Sequence, residues 1–128
     1  RPLDVAAMDL AARALVGNLD FTSFRGAGDQ SESPVKEIRS ATVGLDPSVR
    51  GLIRFDIEAS GFLQYMVRNI AGTLMWVGWG RIDPSLIGAI IAAKDRTKAG
   101  PTAPAHGLCL MEVLYPGQTG LAAPGGGW

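Results

Sequence analysis

The chain has 128 residues, 47% of them hydrophobic, and its 12 basic side chains balance 12 acidic ones. This length favours one compact domain with enough apolar residues for a core. The balanced charge argues against a protein whose whole surface attracts nucleic acid or membrane. Residues 59–111 nevertheless carry five basic and two acidic side chains, so a modest basic surface can form there, although solvated loops carry such charges as well.

Cysteine and histidine are too scarce for two common kinds of site. Cys109 is the only cysteine and His106 the only histidine, which excludes an internal disulfide and leaves too few parts for a classical zinc site or a Cys–His catalytic pair. No apolar run is long and clean enough for a membrane span, and the first residues lack the layout of a signal peptide. We therefore expect a soluble, cytoplasmic protein without a metal.

The N-terminal quarter is predicted to be a helix followed by an ordered loop. Apolar residues at spacings of three and four predict an amphipathic helix over 3–16, ended by the Gly-Asn pair that follows. The segment 20–34 is rich in Gly, Ser and Asp, which is typical of a loop. Phe21 and Phe24 give this loop two aromatic anchors, so we expect it to be ordered.

The remaining elements predict a mixed fold. Alternating apolar residues predict strands over 35–43 and 52–59, paired as an antiparallel hairpin. A mostly apolar helix is expected over 62–79, a second helix capped by an Asp-Pro pair over 84–93, and a last strand over 108–115. This order predicts an α+β fold, with a small, mainly antiparallel sheet and helices packed on one face.

Arg68 is the only formally charged side chain inside the predicted helix over 62–79. A buried guanidinium needs an anionic partner or several acceptors, since desolvating a charge without one costs several kcal/mol. The nearest carboxylates, Glu58 and Asp83, lie beyond either end of that helix. Either Arg68 reaches the surface along its aliphatic stem, or its partner comes from elsewhere in the fold or from outside this chain.

Two stripes divide the surface of this helix. One stripe suits a core, whereas the other brings Arg68 together with polar and small side chains, among them Tyr65 and Gly72. The lack of a side chain at Gly72 predicts that something approaches the helix closely at that point. A ligand, a partner domain and ordinary packing all fit this prediction.

Several segments together resemble one family. They are Asp-Phe-Thr-Ser-Phe-Arg at 20–25, Met-Val-Arg-Asn-Ile-Ala-Gly-Thr-Leu at 66–74, and Ala-Ala-Lys-Asp-Arg-Thr-Lys-Ala-Gly-Pro-Thr-Ala-Pro-Ala-His-Gly-Leu at 92–108. In order and spacing, nearly all of 3–116 is similar to the C-terminal half of TruA-type tRNA pseudouridine synthases. We therefore expect 1–116 to be such a C-terminal domain, and the Gly/Ala/Pro-rich segment 117–128 to be a disordered tail.

The resemblance implies half of a pseudouridine synthase fold and an enzyme that isomerises uridine to pseudouridine. Its substrate would be the anticodon arm of tRNA, at the positions just 3′ of the anticodon, with no metal or organic cofactor. The full-length enzyme would be a homodimer. In the family, the essential aspartate, part of an Arg-Thr-Asp motif, and the tyrosine that stacks on the target base belong to an N-terminal half that is absent here. Asp95, Tyr65 and Tyr115 do not replace them, so the chain alone is expected to be inactive.

The resemblance also implies roles for particular residues. Arg68 stands in the Met-Val-Arg-Asn motif, where the family's arginine pairs with the catalytic aspartate. A non-catalytic module that binds RNA or protein is the competing interpretation, and packing is the alternative role for the loop residues. The residues expected to bind substrate or RNA are Phe21, Phe24, Arg25, Asn69, Arg96, Lys98, Pro101 and Thr102.

Overall fold

The computed structural model describes residues 3–27, 33–63 and 65–103, together with the backbone of a strand over 111–114. Three helices, four strands and three single 3₁₀ turns occur in these ranges. The helices are α1 (Val5–Arg13), α2 (Met66–Gly78) and α3 (Ile87–Ala93); the strands are β1 (Gly17–Asp20), β2 (Val35–Leu45), β3 (Ile53–Ala59) and β4 (Met111–Leu114); the 3₁₀ turns are Thr22–Phe24, Pro84–Leu86 and Arg96–Lys98.

The four strands form one sheet in the order β1-β2-β3-β4. β1, β2 and β3 pair antiparallel, and β4 joins β3 in parallel. Alternate side chains of β2 and β3 enter the core, while their neighbours are partly or fully exposed. The predicted α+β fold and the hairpin over 35–59 are therefore confirmed. The core side chains of the hairpin are Ile38, Ala41, Val43, Phe55, Ile57 and Ala59.

Helices cover the apolar face of this sheet. α1 is capped by Asp4, whose carboxylate accepts a hydrogen bond of 3.0 Å from the backbone N–H of Ala7. Further along α1, Asp9 Oδ1 accepts a 2.9 Å bond from the backbone N–H of Val43. This bond satisfies a donor of β2 beyond the reach of the short strand β1. α1 thus closes one edge of the sheet as well as part of its face.

The helix predicted over 3–16 spans Val5–Arg13, and the helix predicted over 84–93 starts with the 3₁₀ turn Pro84–Leu86. Two further differences concern α2 and β1. α2 begins at Met66 rather than at 62, because Tyr65 has a left-handed backbone (φ 61°) that interrupts helical geometry. β1 was not predicted, since its sequence Gly-Asn-Leu-Asp has low strand propensity. β1 forms through its pairing with residues 35–38 of β2, which is a tertiary effect.

Some predictions lie outside the described residues. They are the C-terminal tail over 117–128, residues 28–32 of the predicted loop, and the residues His106, Cys109 and Tyr115. The last predicted strand, over 108–115, is described only as the backbone of 111–114. Within the described ranges, no helix combines the length and the apolar character needed to cross a membrane.

Candidate functional site

The segment after the third 3₁₀ turn packs directly against α2. A Cβ atom added at Gly72 would collide with the carbonyl of Pro101, and one added at Gly100 would lie 2.8 Å from the Cα of Thr73. The N–H of Gly100 also donates a 2.9 Å hydrogen bond to the hydroxyl of Thr73. The predicted close approach at Gly72 is therefore confirmed, and its cause is the chain's own Gly-Pro segment. We call residues 100–103 the Gly-Pro loop.

The Gly-Pro loop holds Arg68 in place. Arg68 Nε donates a 2.8 Å hydrogen bond to the carbonyl of Ala103, and the N–H of Ala103 donates a 3.0 Å bond to the carbonyl of Arg68. The guanidinium carbon lies 5.2 Å from the centroid of the Tyr65 ring, within cation–π distance. Arg68 is half-buried and forms no ion pair with any residue in the described part of the chain. Its Nη1 and Nη2 groups make no hydrogen bond within the described ranges.

Asn69 is the buried centre of the site, with 1% of its surface exposed. Its Nδ2 donates a 2.8 Å hydrogen bond to the carbonyl of Phe24. Its Oδ1 accepts a 3.1 Å bond from Arg96 Nη2 and a short bond from the hydroxyl of Thr102. One amide therefore joins the first 3₁₀ turn, α2 and the loop that follows α3.

Arg96 lies beside Asn69 and, in the part of the chain that the structure describes, has only neutral partners. Its Nη1 donates a 2.7 Å hydrogen bond to the carbonyl of Gly100, and its Nη2 bonds Asn69 and, at 3.2 Å, the hydroxyl of Thr102. Burial lowers the pKa of the Arg96 guanidinium, because desolvation disfavours its charged form. The pKa of a guanidinium is so high that Arg96 remains charged at neutral pH.

Asp95 caps the third 3₁₀ turn. Its carboxylate accepts hydrogen bonds of 2.7 Å from the hydroxyl and 2.9 Å from the N–H of Thr97, which lower its pKa together with the charge of Lys98. This is the arrangement of a cap at the start of a turn. The geometry agrees with the interpretation that Asp95 belongs to the loop and is not a nucleophile.

These side chains line a cleft of about 490 Å³. Three arginines and no acidic residue contribute to its wall among the residues that the structure describes. Guanidinium groups in a partly desolvated cleft favour anionic ligands, carboxylate and phosphate above all. We call this space the arginine cleft; its lining is Arg25, Gly26, Ala27, Tyr65, Arg68, Asn69, Arg96 and Thr102.

The structure brings together five of the nine residues singled out in the sequence. Phe21 and Phe24 are instead fully buried (0% exposed), so their rings present no surface to RNA and serve to anchor the segment that carries Arg25. Lys98 and Pro101 are exposed and lie outside the cleft wall. The five residues in the cleft are Arg25, Arg68, Asn69, Arg96 and Thr102.

Tyr65 is a cleft residue that was not among the predicted site residues. Its spacing of three from Arg68 was the available signal, since residues three apart share a helix face. The contact forms although Tyr65 precedes the helix in a left-handed conformation. The side chain is 40% exposed, so one part of the ring supports Arg68 and another part remains accessible.

The described residues thus form an α+β domain with a cationic cleft. The Met-Val-Arg-Asn helix and the Gly-Pro loop build this cleft. The profile of the tRNA pseudouridine synthase family matches residues 11–116. Because this match covers most of the chain, the chain belongs to the tRNA pseudouridine synthase family.

Individual relatives agree with this assignment. A tRNA pseudouridine synthase A of Myxococcus xanthus is 45% identical over 125 residues, which are 98% of this chain and 46% of that protein. Proteins of the same name from Chromobacterium violaceum and Thiobacillus denitrificans are 45% and 43% identical, over 93% and 100% of this chain and 44% and 48% of their own lengths. The chain thus spans about half the length of these curated relatives, consistent with a C-terminal half.

Proposed function

We propose that this chain supplies the C-terminal half of an enzyme that isomerises uridine to pseudouridine in the anticodon arm of tRNA, at positions just 3′ of the anticodon. Family membership supports the reaction class. The observation that carries the role of this half is the state of Arg68, a half-buried guanidinium without a carboxylate among the described residues. The catalytic aspartate of the N-terminal half is the anion that fits there.

The contacts of Arg68 suit this role. Because Nε is bonded to the carbonyl of Ala103, only the end-on pair of Nη1 and Nη2 is left for a bidentate bond to a carboxylate. The Tyr65 ring restricts the plane of the guanidinium. An arginine so placed favours the ionised aspartate and lowers its pKa by roughly one to three units. The aspartate would then be both charged and oriented when the target uridine arrives.

The remaining residues of the proposal contact RNA around the target. Residues of the arginine cleft and the exposed Lys98 and Pro101 face the tRNA in this proposal, with no cofactor. The full-length enzyme acts as a homodimer in the cytoplasm, and this chain alone is inactive because it lacks the nucleophile. The proposed RNA contacts in the cleft are Arg25, Asn69, Arg96 and Thr102.

Tritium release from tRNA labelled at uracil C5 tests this function. During the isomerisation the bond between N1 and C1′ of the ribose breaks and a bond between C5 and C1′ forms, so the hydrogen of C5 leaves to solvent and N1 regains a proton. The 128-residue chain, the full product of its reading frame, and the two halves mixed after separate expression would be compared on one tRNA transcript. We expect release by the full product and none by this chain alone.

The possible results separate the proposed function from its competitor. Release by the mixed halves would show directly that this chain completes an active site. Release by this chain alone would contradict the role given to the aspartate of the other half. Release by no sample, with intact tRNA and folded proteins, would favour a module that binds RNA or protein without chemistry.

A further inference from the structure

Arg96 is a partly buried cation whose charge is not neutralised by any described part of the chain. Its three hydrogen-bond partners, the Gly100 carbonyl, the Asn69 amide oxygen and the Thr102 hydroxyl, are all neutral. A guanidinium that gives up water without gaining an anion carries a desolvation cost, and the lowered pKa of Arg96 has this cause. Such a group is stabilised by any anion that enters the cleft.

The Arg96 side chain is held in a fixed orientation, as a preformed anion-binding site requires. Asn69 cannot rotate freely, because its Nδ2 is bonded at 2.8 Å to the carbonyl of Phe24 while its Oδ1 receives Arg96 and Thr102. Gly100, which receives Nη1, is fixed in turn through its own N–H by the hydroxyl of Thr73. A guanidinium has five N–H donors. Three hydrogen bonds to neutral oxygens orient the group and leave other donors, including Nε–H, for a ligand.

Counting charges in the arginine cleft indicates what that ligand is. Its wall carries three arginines and no carboxylate among the described residues, whereas the proposed function needs one aspartate, paired with Arg68. Arg96, whose described partners are all neutral, therefore remains as a positive charge beside a polyanionic substrate. Arginine is a common ligand of phosphate, and phosphate contacts supply most of the position-fixing bonds in nucleic-acid recognition.

We propose that Arg96, oriented by Asn69 and Thr102, is a preformed binding site for one phosphodiester group of the RNA backbone beside the target nucleotide. This inference rests on the proposed function. In this inference the two arginines bind different anions: Arg68 binds a protein carboxylate and Arg96 binds an RNA phosphate. Asn69 is a positioning residue, which acts on RNA through Arg96.

The salt dependence of tRNA binding tests the site. The logarithm of the binding constant falls with the logarithm of salt concentration, with a slope that changes by about 0.7 to 0.9 for each phosphate contact. Full-length protein with Arg96→Gln should therefore show a slope smaller by about that amount, and about tenfold weaker binding at low salt. Arg96→Lys should restore the slope but only part of the affinity, because an ammonium group lacks the planar guanidinium that Gly100, Asn69 and Thr102 orient.

Arg13→Gln is the matched control, since it removes the same charge from α1, where Arg13 is paired with Asp9 at 3.0 Å outside the cleft. Its slope should equal that of the wild type. An unchanged slope in folded Arg96→Gln would overturn the proposal, because Arg96 would then neutralise no phosphate of the RNA. Circular dichroism spectra establish that each variant is folded.

A second measurement uses the wild-type protein and only the conservative variant Arg96→Lys, which keeps the positive charge. A synthetic anticodon stem-loop would carry one neutral methylphosphonate at each position in turn, and its binding to the wild-type protein would be measured. One position should weaken binding about tenfold, and that loss should shrink with Arg96→Lys. Absence of any sensitive position, or a loss that Arg96→Lys leaves unchanged, would overturn the site.

The proposed function and this inference can fail separately. If the wild type releases no tritium but the slope and the sensitive phosphate depend on Arg96, the proposed chemistry is wrong and the phosphodiester site stands. If the wild type is active and Arg96 affects neither, the site is wrong and the synthase stands.

Discussion

The arginines of the sheet and α1 differ from those of the arginine cleft in the kind of partner that they contact. In the cleft, Arg68 and Arg96 are held by carbonyl, amide and hydroxyl oxygens and by an aromatic ring, with no carboxylate among the described residues. On the sheet and on α1, each of three arginines has an acidic neighbour: Arg13 with Asp9 at 3.0 Å, Arg39 with Glu37 at 3.5 Å and Arg54 with Asp56 at 2.8 Å.

This difference shows that arginine charges are neutralised within the chain on the sheet and on α1. Ion pairs at the sheet neutralise charge within the chain, and they are exposed enough that water also solvates the charged groups. Arg68 and Arg96 are partly removed from water and, among the described residues, meet only neutral acceptors, which orient a guanidinium without neutralising it. The cleft is therefore built to receive anions from outside the described residues, and substitutions there should alter function more than stability.

Arg68→Ala in the full-length enzyme should have the largest effect of all. We expect the turnover number to fall by orders of magnitude, while the thermal unfolding midpoint changes little, because the variant removes the partner of the proposed nucleophile. Tritium release under saturating tRNA measures this loss. Residual activity should show an acid limb moved to higher pH, since loss of the cation raises the pKa of the aspartate by about one to three units.

Arg81→Ala controls for the loss of an arginine that lies over aromatic rings. The Arg81 guanidinium lies 5.5 Å from the ring centroid of Trp76, beyond the other end of α2 and outside the cleft. Its activity and pH profile should match those of the wild type. Turnover of Arg68→Ala at the wild-type level would remove Arg68 from the active site.

Gly72→Ala should have the next largest effect, and it acts through packing. The new methyl group would meet the carbonyl of Pro101, which is backbone and cannot rotate away. We expect a loss of unfolding free energy of about 3 kcal/mol, the upper end for an overpacked core. Urea unfolding measures it. The displaced Gly-Pro loop should also release the Ala103 carbonyl from Arg68 and reduce turnover.

The comparison for this variant is Gly88→Ala in α3. Gly88 is exposed and helical, and among the described residues no atom outside its own stretch of α3 lies within 4 Å of an added Cβ. This substitution should be neutral or stabilise the fold by about 0.5 to 1 kcal/mol. If Gly72→Ala were equally harmless, the Gly-Pro loop would not be packed against α2 as described.

These two regions also differ in how far the sequence predicted them. The hairpin and the close approach at Gly72 followed from periodicity and from the absence of a side chain, both of which are local signals. The partners of Arg68 and Arg96 could not be predicted, because Ala103 lies 35 residues from Arg68 and Asn69 lies 27 from Arg96. Their contacts depend on a tertiary arrangement that no spacing rule describes.

The buried aromatic side chains also show that a local sequence pattern does not determine which residues a side chain contacts. Aromatic residues in a loop are compatible with RNA contact and with packing, and only the burial of Phe21 and Phe24 distinguishes the two. Strand β1 was missed for a related reason, since four residues of low strand propensity are held by partners 15 to 21 residues away in the sequence. Local pattern predicted the elements, and long-range contacts determine which side chains meet.

Asp9→Ala should affect stability moderately and activity little. The variant leaves the N–H of Val43 without its 2.9 Å acceptor in a buried part of β2, which costs about 1 to 2 kcal/mol. The bond to Val43 is the main cause of the lowered pKa of Asp9, with burial opposing it and Arg13 assisting. Urea unfolding at pH 7 measures the loss in free energy.

The pH dependence follows from the sign of that shift. A carboxyl whose pKa is lower in the folded state stabilises the fold above its unfolded pKa of about 4, and this stabilisation disappears as pH falls through the folded pKa. The difference between the wild type and Asp9→Asn, which keeps an acceptor for Val43, should therefore shrink below about pH 4. A difference that is constant from pH 7 to pH 2 would contradict the assignment.

Arg39→Gln should have the smallest effect. Arg39 and Glu37 are exposed, at 42% and 53% of their side-chain surfaces, and their closest nitrogen and oxygen are 3.5 Å apart. Such a pair contributes about 0 to 0.5 kcal/mol, so the unfolding free energy should barely change and high salt should mask what remains. Because Arg39 already has its carboxylate, tritium release and the salt slope of tRNA binding should also equal those of the wild type. A loss of binding in this variant as large as in Arg96→Gln would mean that overall charge holds the RNA, and the distinction between paired and unneutralised arginines would then carry no functional meaning.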